Sequence, residues 1–304
     1  MISTIIVNWN SGTQLNACVN SLLCTNTHQI IVVDNASTDG SEQGIENHPG
    51  VTLIRSPENL GFGRACNLGA KYATSEYLLF LNPDATVFPG TIEKSIAFMQ
   101  DPANSQVGIC GVQLVDENGR VSRSCARFPS AAGLVACAIG LDRLFPRLGF
   151  SMREWTHDKT REVDQVMGAF FLVRQTVFES LGGFDERFFV YFEELDFSFR
   201  ARHAGWRSVY LSDVQAFHLG GGTSRQIKAR RMFYSIRSRL LYTHKHFNFF
   251  AAAPVFFATF LIEPVSRTLI SIARCSWTAL KETWSGYAML VHWMPVWIFR
   301  GVTR

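Results

Sequence analysis

The residues of this sequence best suited to chemistry are acidic side chains that follow short apolar runs. Asp34 ends the apolar part of "QIIVVDN" and begins the polar segment "DNASTDGS". A carboxylate there can accept hydrogen bonds from a ribose or a pyrimidine ring N–H, as acidic residues do at strand ends in dinucleotide folds. Asp, Asn, Ser and Gly are also ordinary turn residues, so by itself the segment indicates a loop more readily than a site.

A second carboxylate, Asp84, follows the apolar run "YLLFLN" and stands directly behind Pro83. At that position it can hold Mg²⁺ or Mn²⁺, hard cations that take oxygen ligands and share them with substrate phosphates. Pro83 restricts Asn82 to an extended conformation, which predicts a strand that continues straight to the acid. An Asx-Pro turn is the competing interpretation of the same residues.

His218 ends the apolar run "SVYLSDVQAF" and precedes a glycine-rich segment, "LGGGTS". A lone histidine at a strand end is more often structural than a ligand. The glycines favour the other interpretation, in which His218 gives a nitrogen to a metal ion and starts a mobile loop, as far as Ser224, that folds over a diphosphate.

Three acids lie among aromatic residues in the segment "YFEELDFSFR". A helix here has an apolar face and a neighbouring charged face, formed by Phe192, Leu195 and Phe199 and by Glu193, Asp196 and Arg200. Glu194 points away from both faces. Acids at a helix start are usually solvated, but a carboxylate among aromatic side chains is partly desolvated, and this raises its pKa towards that of a general base.

The segment "ENLGFGRACNLGA", Glu58 to Ala70, carries glycines that let a helix N-terminus approach a phosphate closely. Its spacing is not Gly-x-Gly-x-x-Gly, and no Gly-Lys-Ser/Thr follows. The Rossmann fingerprint and the P-loop are therefore excluded, and the segment alone is a weak signal.

The first half of the chain predicts the elements that position these residues. Runs rich in Ile, Val and Leu alternate with helical segments, which favours an α/β fold with a mainly parallel sheet covered on both faces. In such sheets ligands bind at the carboxyl ends of the strands. With 304 residues, of which 47% are hydrophobic, we expect a catalytic domain over residues 1–225 and an appendage over residues 226–304.

The sequence changes character from about Gln226. A basic helical segment precedes fourteen uncharged residues, Phe249 to Ile262. A helix of that length spans about 21 Å, less than the roughly 30 Å of a bilayer core. Together with the Trp-rich tail, this predicts an interfacial, re-entrant or packed helix rather than a plain membrane span. A helical subdomain that covers the sheet, or a dimer contact, explains the same residues.

Composition argues against several classes of protein. A formal charge of +4 without a long run of Lys and Arg is poor support for nucleic-acid binding. The seven cysteines show no Cys-x-x-Cys spacing, so we expect reduced core residues in a cytoplasmic protein. The N-terminal segment "MISTIIVNWN" lacks the features of a secretory signal, and we expect no export by that route.

The order of these motifs resembles glycosyltransferase family 2, whose members are inverting enzymes of the GT-A fold. The similarity covers about residues 3 to 245, from "TIIVNWNSGTQLNACVNSLL" to "HLGGGTS". Within the family the motifs look like those of the bacterial rhamnosyltransferase branch, which builds cell-surface polysaccharide. The resemblance implies a Rossmann-like α/β domain with a mainly parallel mixed sheet flanked by helices, here followed by a C-terminal amphipathic helical extension.

The resemblance also implies roles for single residues. Asp34 would contact the pyrimidine base of a nucleotide-sugar, and the residues implied to line the same donor site are Val7, Asn8, Trp9, Asn10, Asn59, Gly61, Arg64, Asn67 and Asn82. Those assigned to the acceptor are Gly168 and Asp196. Asp84 and His218 would hold Mg²⁺ or Mn²⁺. Glu194 is the first choice for the catalytic base and Glu193 the second.

Two positions depart from the family pattern. Asn82 stands where the first metal-site aspartate is usual, a variant typical of the rhamnosyltransferase-like branch that leaves one carboxylate for the metal. The acidic pair is Glu193-Glu194 where Glu-Asp is usual, which moves the base one methylene further out.

The implied reaction transfers L-rhamnose from dTDP-rhamnose to a saccharide or a polyprenyl-diphosphate-linked acceptor. A UDP-sugar transferase of the same family and an inactive glycan-binding relative are the alternatives. A nucleotidyltransferase is disfavoured because "VNWNSGTQLN" has no basic residue. We expect a cytoplasmic enzyme, peripheral on the inner face of the cell membrane, without nucleic-acid partners and with the oligomeric state left open.

Overall fold

The computed structural model describes residues 1–25, 27–48, 50–220 and 227–303. Its strands are β1 (Ile2–Asn8), β2 (Gln29–Asp34), β3 (Val51–Arg55), β4 (Tyr77–Leu81), β5 (Ala85–Val87), β6 (Val107–Val115), β7 (Cys125–Ala126), β8 (Arg161–Val163), β9 (Gln165–Val166), β10 (Phe170–Arg174) and β11 (Arg207–His218). Its α-helices are α1 (Gln14–Leu23), α2 (Phe62–Ala70), α3 (Thr91–Gln100), α4 (Ala131–Ile139), α5 (Gln175–Ser180), α6 (Glu193–His203), α7 (Lys228–His246), α8 (Phe249–Phe257), α9 (Glu263–Ala273) and α10 (Trp277–Arg300).

The main sheet contains nine of the described strands, in the order β3-β2-β1-β4-β10-β6-β11-β5, with β8 paired to β11. β1 is parallel to β2 and β4, β2 to β3, and β6 to β11. β10 runs antiparallel between β4 and β6, and β5 is antiparallel to β11. The predicted α/β fold with a mixed sheet flanked by helices is confirmed.

The buried strands explain why their sequences are continuous apolar runs. Every residue of β1 and β4 is buried, as expected for strands covered on both faces. α2 packs directly on β1 and β2, because a Cβ added at Gly69 would lie 2.6 Å from Ile5 Cγ2 and 3.1 Å from Val33 Cγ2. Gly69 thus sets the close approach of α2 to the sheet.

The chain divides into two compact units. The first comprises Met1–Arg127, Trp155–Glu186 and Glu193–Thr223, and the second comprises Phe128–Glu154, Arg187–Phe192 and Ser224–Arg304. The second unit therefore includes two segments from within the predicted catalytic range 1–225. The predicted boundary at residues 225 and 226 lies outside the described residues, and the assignment of catalysis to one unit stays a prediction.

The second unit is helical and contains a buried charge cluster. Glu263, at the start of α9, is 1% exposed and accepts hydrogen bonds from Arg239 of α7 and from Arg267. Arg239 also donates to Thr259 at 3.1 Å. These pairs make the burial of a carboxylate tolerable, since an unpaired buried charge is costly.

The prediction of a helix too short for a bilayer was wrong. Phe249–Ala273 forms one continuous helix of 25 residues, with a mean hydropathy of 1.6 over its most apolar stretch, and 28% of that stretch is buried. Its length is about 37 Å. Ala258–Ile262, directly before Pro264, adopts a π-helical conformation, a local adjustment that lets a helix continue past a proline. Within the described residues it alone has the length and composition to cross a membrane.

Two further predictions need correction. α6 begins at Glu193, so Phe192 is not helical, and the buried aromatic residue of the helix is Phe197 rather than Phe199. The cysteines are all free, but not all of them are core residues, since Cys24 and Cys275 are exposed.

Candidate functional site

The carboxyl ends of β1, β2 and β4 lie at one edge of the sheet, because these strands are parallel neighbours. Asn8 ends β1 directly opposite Asp34, which ends β2. Asn82 follows the last residue of β4. The structure therefore gathers residues that the sequence places in separate motifs.

Asn8 holds the Asp34 carboxylate in place. Its Nδ2 donates to Asp34 Oδ1 at 2.9 Å and to Ser41 Oγ at 2.8 Å, and its Oδ1 accepts from the Ser11 hydroxyl. The Ser37 N–H donates to Asp34 Oδ2 at 3.2 Å. Asn8 is fully buried and orients Asp34, so the carboxylate is positioned before a ligand binds. A contact between Asn8 and a nucleotide-sugar stays a prediction.

The loops after β1 and β2 are joined to each other. The Thr38 N–H donates to Asn10 Oδ1 at 2.7 Å, and the Gly12 N–H donates to Asp39 at 2.9 Å. Asn10 and Ala36 have positive φ angles of 50° and 61°, a conformation that costs energy outside glycine and clusters at functional sites. Although partial burial opposes the shift, hydrogen bonds from Ser41 and Gly12 lower the pKa of Asp39.

Val7, which is also assigned to this end of β1, is 7% exposed and pairs with Val33 in the sheet. A contact between Val7 and a nucleotide stays a prediction.

Asn35 is a site residue that the sequence reasoning missed. Its Oδ1 accepts from the Leu60 N–H at 2.7 Å, and its Nδ2 donates to Asn59 Oδ1 at 3.0 Å. Asn59 Oδ1 also accepts from the Gly61 N–H at 2.9 Å. Asn35 therefore links the end of β2 to the start of α2, and its place directly after Asp34 was the one signal that could have identified it.

Gly61 precedes α2 with a φ of 81°, which favours glycine. Arg64, in the first turn, lies 3.6 Å from Glu186 and 3.9 Å from Glu58 and is partly exposed. Asn67 uses both ends of its amide within the fold, donating to the Phe184 carbonyl at 2.8 Å and accepting from the Phe184 N–H at 2.9 Å. The Asn67 amide therefore binds the backbone of Phe184 through both of its ends. A contact between Asn67 and a nucleotide stays a prediction.

The segment Asn82-Pro83-Asp84-Ala85 is a turn, closed by a hydrogen bond of 3.1 Å from the Ala85 N–H to the Asn82 carbonyl. The expectation of a strand straight to the acid was wrong, since β4 ends at Leu81. The turn starts β5, whose Ala85 pairs with His218 of β11. A turn and a candidate ligand position are therefore compatible descriptions of the same residues.

This pairing places His218 Nε2 3.3 Å from Asp84 Oδ1. Both side chains are about one tenth exposed. Nε2 is buried, and among the described residues it has no hydrogen bond of acceptable geometry, although it lies close to a carboxylate oxygen. A nitrogen and a carboxylate oxygen turned towards each other in this way fit a shared divalent cation.

The described residues contain no cluster of three or more His, Cys, Asp or Glu side chains arranged around a metal ion. Asp84 and His218 form a pair of candidate ligands for a cation at this position. The predicted glycine-rich loop up to Ser224 lies mostly outside the described residues, from residue 221 onward.

The acidic pair stands at the N-terminus of α6. Tyr191 and Phe192, immediately before it, have positive φ angles of 70° and 72°. Glu193 is 3% exposed and packs on α2, where a Cβ added at Gly63 would lie 3.4 Å from Glu193 Cβ. The glycine at position 63 allows this approach of α2 to the acidic pair.

Glu194 is held against Gly168. Burial raises the pKa of the Glu194 carboxyl, although hydrogen bonds from the backbone N–H groups of Glu194, Gly168 and Leu195 oppose the shift. Its Oε2 is inaccessible and has no hydrogen-bond partner among the described residues. A carboxylate in this state accepts a proton readily, which is what a general base requires.

Asp196, assigned to the acceptor from the sequence, is 0% exposed and binds Arg200 Nε at 2.8 Å. The Arg200 guanidinium donates further to the Leu181 carbonyl at 2.6 Å and to the Gly183 carbonyl at 2.7 Å. In this position Asp196 anchors α6 to the loop after α5, and a contact between Asp196 and an acceptor stays a prediction. Gly168, the other acceptor assignment, contacts Glu194.

Comparison with known proteins finds a matching family profile and similar sequences. The sequence profile described as "Glycosyl transferase family 2" matches residues 3–182. The chain is 29% identical to N-acetylglucosaminyl-diphospho-decaprenol L-rhamnosyltransferase of Mycobacterium tuberculosis, over 72% of this chain and 76% of the relative. It is 26% identical to rhamnosyltransferase WbbL of Escherichia coli K12, over 80% of this chain and 92% of the relative.

Among solved structures, a mannosyltransferase from Pyrobaculum calidifontis in complex with GDP-Man and Mn²⁺ is similar with a TM-score of 0.56 and 19% identity. The similarity covers 99% of this chain and 81% of that one. At this identity the comparison establishes the fold.

Proposed function

Because this chain belongs to glycosyltransferase family 2, we propose that it is an inverting rhamnosyltransferase that uses dTDP-L-rhamnose and a lipid-linked saccharide acceptor. Two relatives named as rhamnosyltransferases support rhamnose as the transferred sugar. The decaprenol-diphosphate saccharide in the name of the mycobacterial relative supports the acceptor. The product is a rhamnosylated saccharide for cell-surface polysaccharide.

The observation that carries the proposal is the Glu194 carboxyl, with its raised pKa and its contact with Gly168. Glu194 removes the proton from an acceptor hydroxyl, whose oxygen attacks the anomeric carbon of the donor from the side opposite the diphosphate. The new C–O bond forms as the bond to the diphosphate oxygen breaks, so the anomeric configuration inverts.

Other side chains of the site bind the nucleoside diphosphate part of the donor. Asp34, fixed by Asn8, accepts a hydrogen bond from the pyrimidine ring. Asp84 and His218 are the residues that would hold a divalent cation, which would offset the negative charge of the diphosphate. The Mn²⁺ complex of the similar mannosyltransferase supports this use of a metal.

Replacement of the two glutamates separately tests the assignment of the base. Glu194→Gln keeps the shape of the side chain but cannot accept the proton, so we expect kcat to fall by roughly 10²- to 10⁴-fold. Binding of dTDP, followed by thermal shift, should be unchanged because Glu194 lies on another element from Asp34. If Glu193→Gln abolishes transfer while Glu194→Gln retains it, the base is misassigned.

A donor screen tests the sugar. Purified enzyme is incubated with dTDP-rhamnose, UDP-glucose, UDP-GlcNAc or GDP-mannose, each with Mg²⁺ or Mn²⁺, and the released nucleoside diphosphate is measured. Release above the rate of donor hydrolysis should occur with dTDP-rhamnose and require the lipid-linked acceptor. Preference for a UDP-sugar would identify the alternative transferase of the same family.

We also propose that the enzyme works at the inner face of the cell membrane, where a lipid-linked acceptor is available. The long apolar helix Phe249–Ala273 supports this location. Cell fractionation of the full chain and of a chain ending at Lys245 tests it. Equal membrane association of the two proteins would refute a role of the C-terminal helices.

A further inference from the structure

The net charge of the chain conceals a separation of charge along the sequence. Residues 227–304 contain 11 Lys and Arg but only 2 Asp and Glu, whereas residues 1–226 contain 18 and 23. One of those two acids, Glu263, is buried between Arg239 and Arg267. The C-terminal helices therefore present an excess of positive charge to their surroundings, which attracts an anionic surface.

Part of this charge lines an open pocket of about 260 Å³ in the second unit. Four basic side chains border it, namely Arg143, Lys228, Arg267 and Arg274. Lys228 lies 3.9 Å from Glu282, and Arg267 is paired with Glu263. In the part of the chain that the structure describes, Arg143 and Arg274 form no salt bridge, so both are available to bind an anion.

Exposed apolar side chains stand on the segments beside the same pocket. Leu144 and Phe145 directly follow Arg143 and are 74% and 60% exposed. Trp277 at the start of α10 is also exposed. The segment around Arg143 and helix α9 belong to one surface, because Arg143 lines the pocket together with Arg267, Ile270 and Arg274.

We propose that this pocket binds the phosphate headgroup of an anionic phospholipid, while the neighbouring apolar side chains enter the acyl boundary of the same bilayer. The inference extends the membrane location proposed above by naming the lipid class and the residues. Cations beside exposed Leu, Phe and Trp are the combination that lies in a membrane interface. The pocket is smaller than the roughly 300–1,000 Å³ of cavities for drug-sized ligands, which suits a single headgroup.

The test is cosedimentation of the full chain with vesicles, without donor or acceptor. Vesicles of phosphatidylcholine alone are compared with vesicles that contain 30% phosphatidylglycerol, and we expect binding to the second kind only. Arg143→Gln with Arg274→Gln should weaken that binding about 30-fold, since each cation near an anionic surface contributes about fivefold. Leu144→Ser with Phe145→Ser should also weaken it, because apolar contact is lost.

The matched control is Arg230→Gln with Arg231→Gln, which removes the same charge from exposed positions of α7 outside the pocket. We expect a loss of less than fivefold. An equal loss in both double variants would overturn the pocket as a headgroup site and leave a diffuse electrostatic attraction.

Two further results would overturn the proposal. Full competition by millimolar inorganic phosphate would indicate a site for free phosphate. A change of oligomeric state in the Leu144→Ser, Phe145→Ser variant, measured by light scattering with lipid binding unchanged, would identify the apolar side chains as a contact with a second copy. Because no sugar is transferred in this assay, a wrong donor assignment cannot alter its outcome.

Discussion

Arg200→Ala tests how the fold holds the acidic pair in place. The substitution leaves the Asp196 carboxylate, which is 0% exposed, without its bond of 2.8 Å to Arg200, and it removes the two hydrogen bonds to the Leu181 and Gly183 carbonyls. Loss of one partner of a buried ion pair costs about 3–5 kcal/mol, a large part of a typical unfolding free energy of 5–15 kcal/mol.

At about 2–4 °C per kcal/mol for a chain of 150–250 residues, the melting temperature should fall by roughly 6–20 °C. Differential scanning fluorimetry measures this fall. Arg202→Ala is the control on the same helix, because Arg202 pairs with Glu162 at 2.8 Å while both side chains are more than one third exposed. An exposed pair contributes about 0–1 kcal/mol, so that variant should lose less than about 4 °C.

Asp196→Asn combined with Arg200→Ala also removes the buried charge that has lost its Arg200 partner, and it should recover part of the loss. The variant Arg200→Ala should also show a lower kcat at the permissive temperature, since α6 begins with Glu193 and Glu194. Equal melting temperatures of the Arg200→Ala and Arg202→Ala variants, or no recovery in the double variant, would refute the reasoning.

Three other predictions concern the site itself. Because burial raises the pKa of Glu194, the folded protein disfavours the charged carboxylate, and its stability is highest below the ordinary glutamate pKa and falls as pH rises through the raised pKa. Glu194→Gln should therefore raise the melting temperature over that of the wild type by more at pH 7 than at pH 4. For the same reason the acid limb of the pH profile of kcat/KM should lie above the ordinary glutamate range. Asn35→Ala should cost about 1–3 kcal/mol of stability and weaken dTDP binding in calorimetry, because the buried Asn35 amide holds Leu60 and Asn59; wild-type affinity for dTDP would contradict this. Asn82→Asp should bind Mn²⁺ more tightly in calorimetry if position 82 faces the cation beside Asp84, and unchanged affinity would show that it does not.

Several site residues could be predicted from the sequence because the signal was local. Asp34 ends one buried strand and Asn82 directly follows another, and the apolar runs of both strands are plain in the sequence. The structure places both residues at the carboxyl ends of parallel strands. The start of α6 at the acidic pair was approximately correct, but its apolar face was not. The reason is that Phe192 belongs to a segment with positive φ angles, which no local periodicity predicts.

Asn35 was missed because its function depends on a partner distant in the sequence. An asparagine after a strand looks like any turn residue. Only the tertiary structure shows that the Asn35 amide accepts a hydrogen bond from the Leu60 N–H. The length of the helix from Phe249 to Ala273 was missed for a related reason. Glu263 and Pro264 are helix-ending signals in an isolated sequence, but Arg239 on another helix compensates the charge of Glu263.

The sequence alone determined the fold class and the order of the motifs, because strand and helix patterns are carried by neighbouring residues. It also predicted Asp84, His218 and the pair Glu193-Glu194 as the groups able to do chemistry. Only the tertiary structure decided which of them meet. The antiparallel pairing of β5 with β11 brings Asp84 to 3.3 Å from His218, and the turn at Asn82 to Ala85 makes that pairing possible. Such contacts depend on long-range strand register, which a local sequence pattern does not contain.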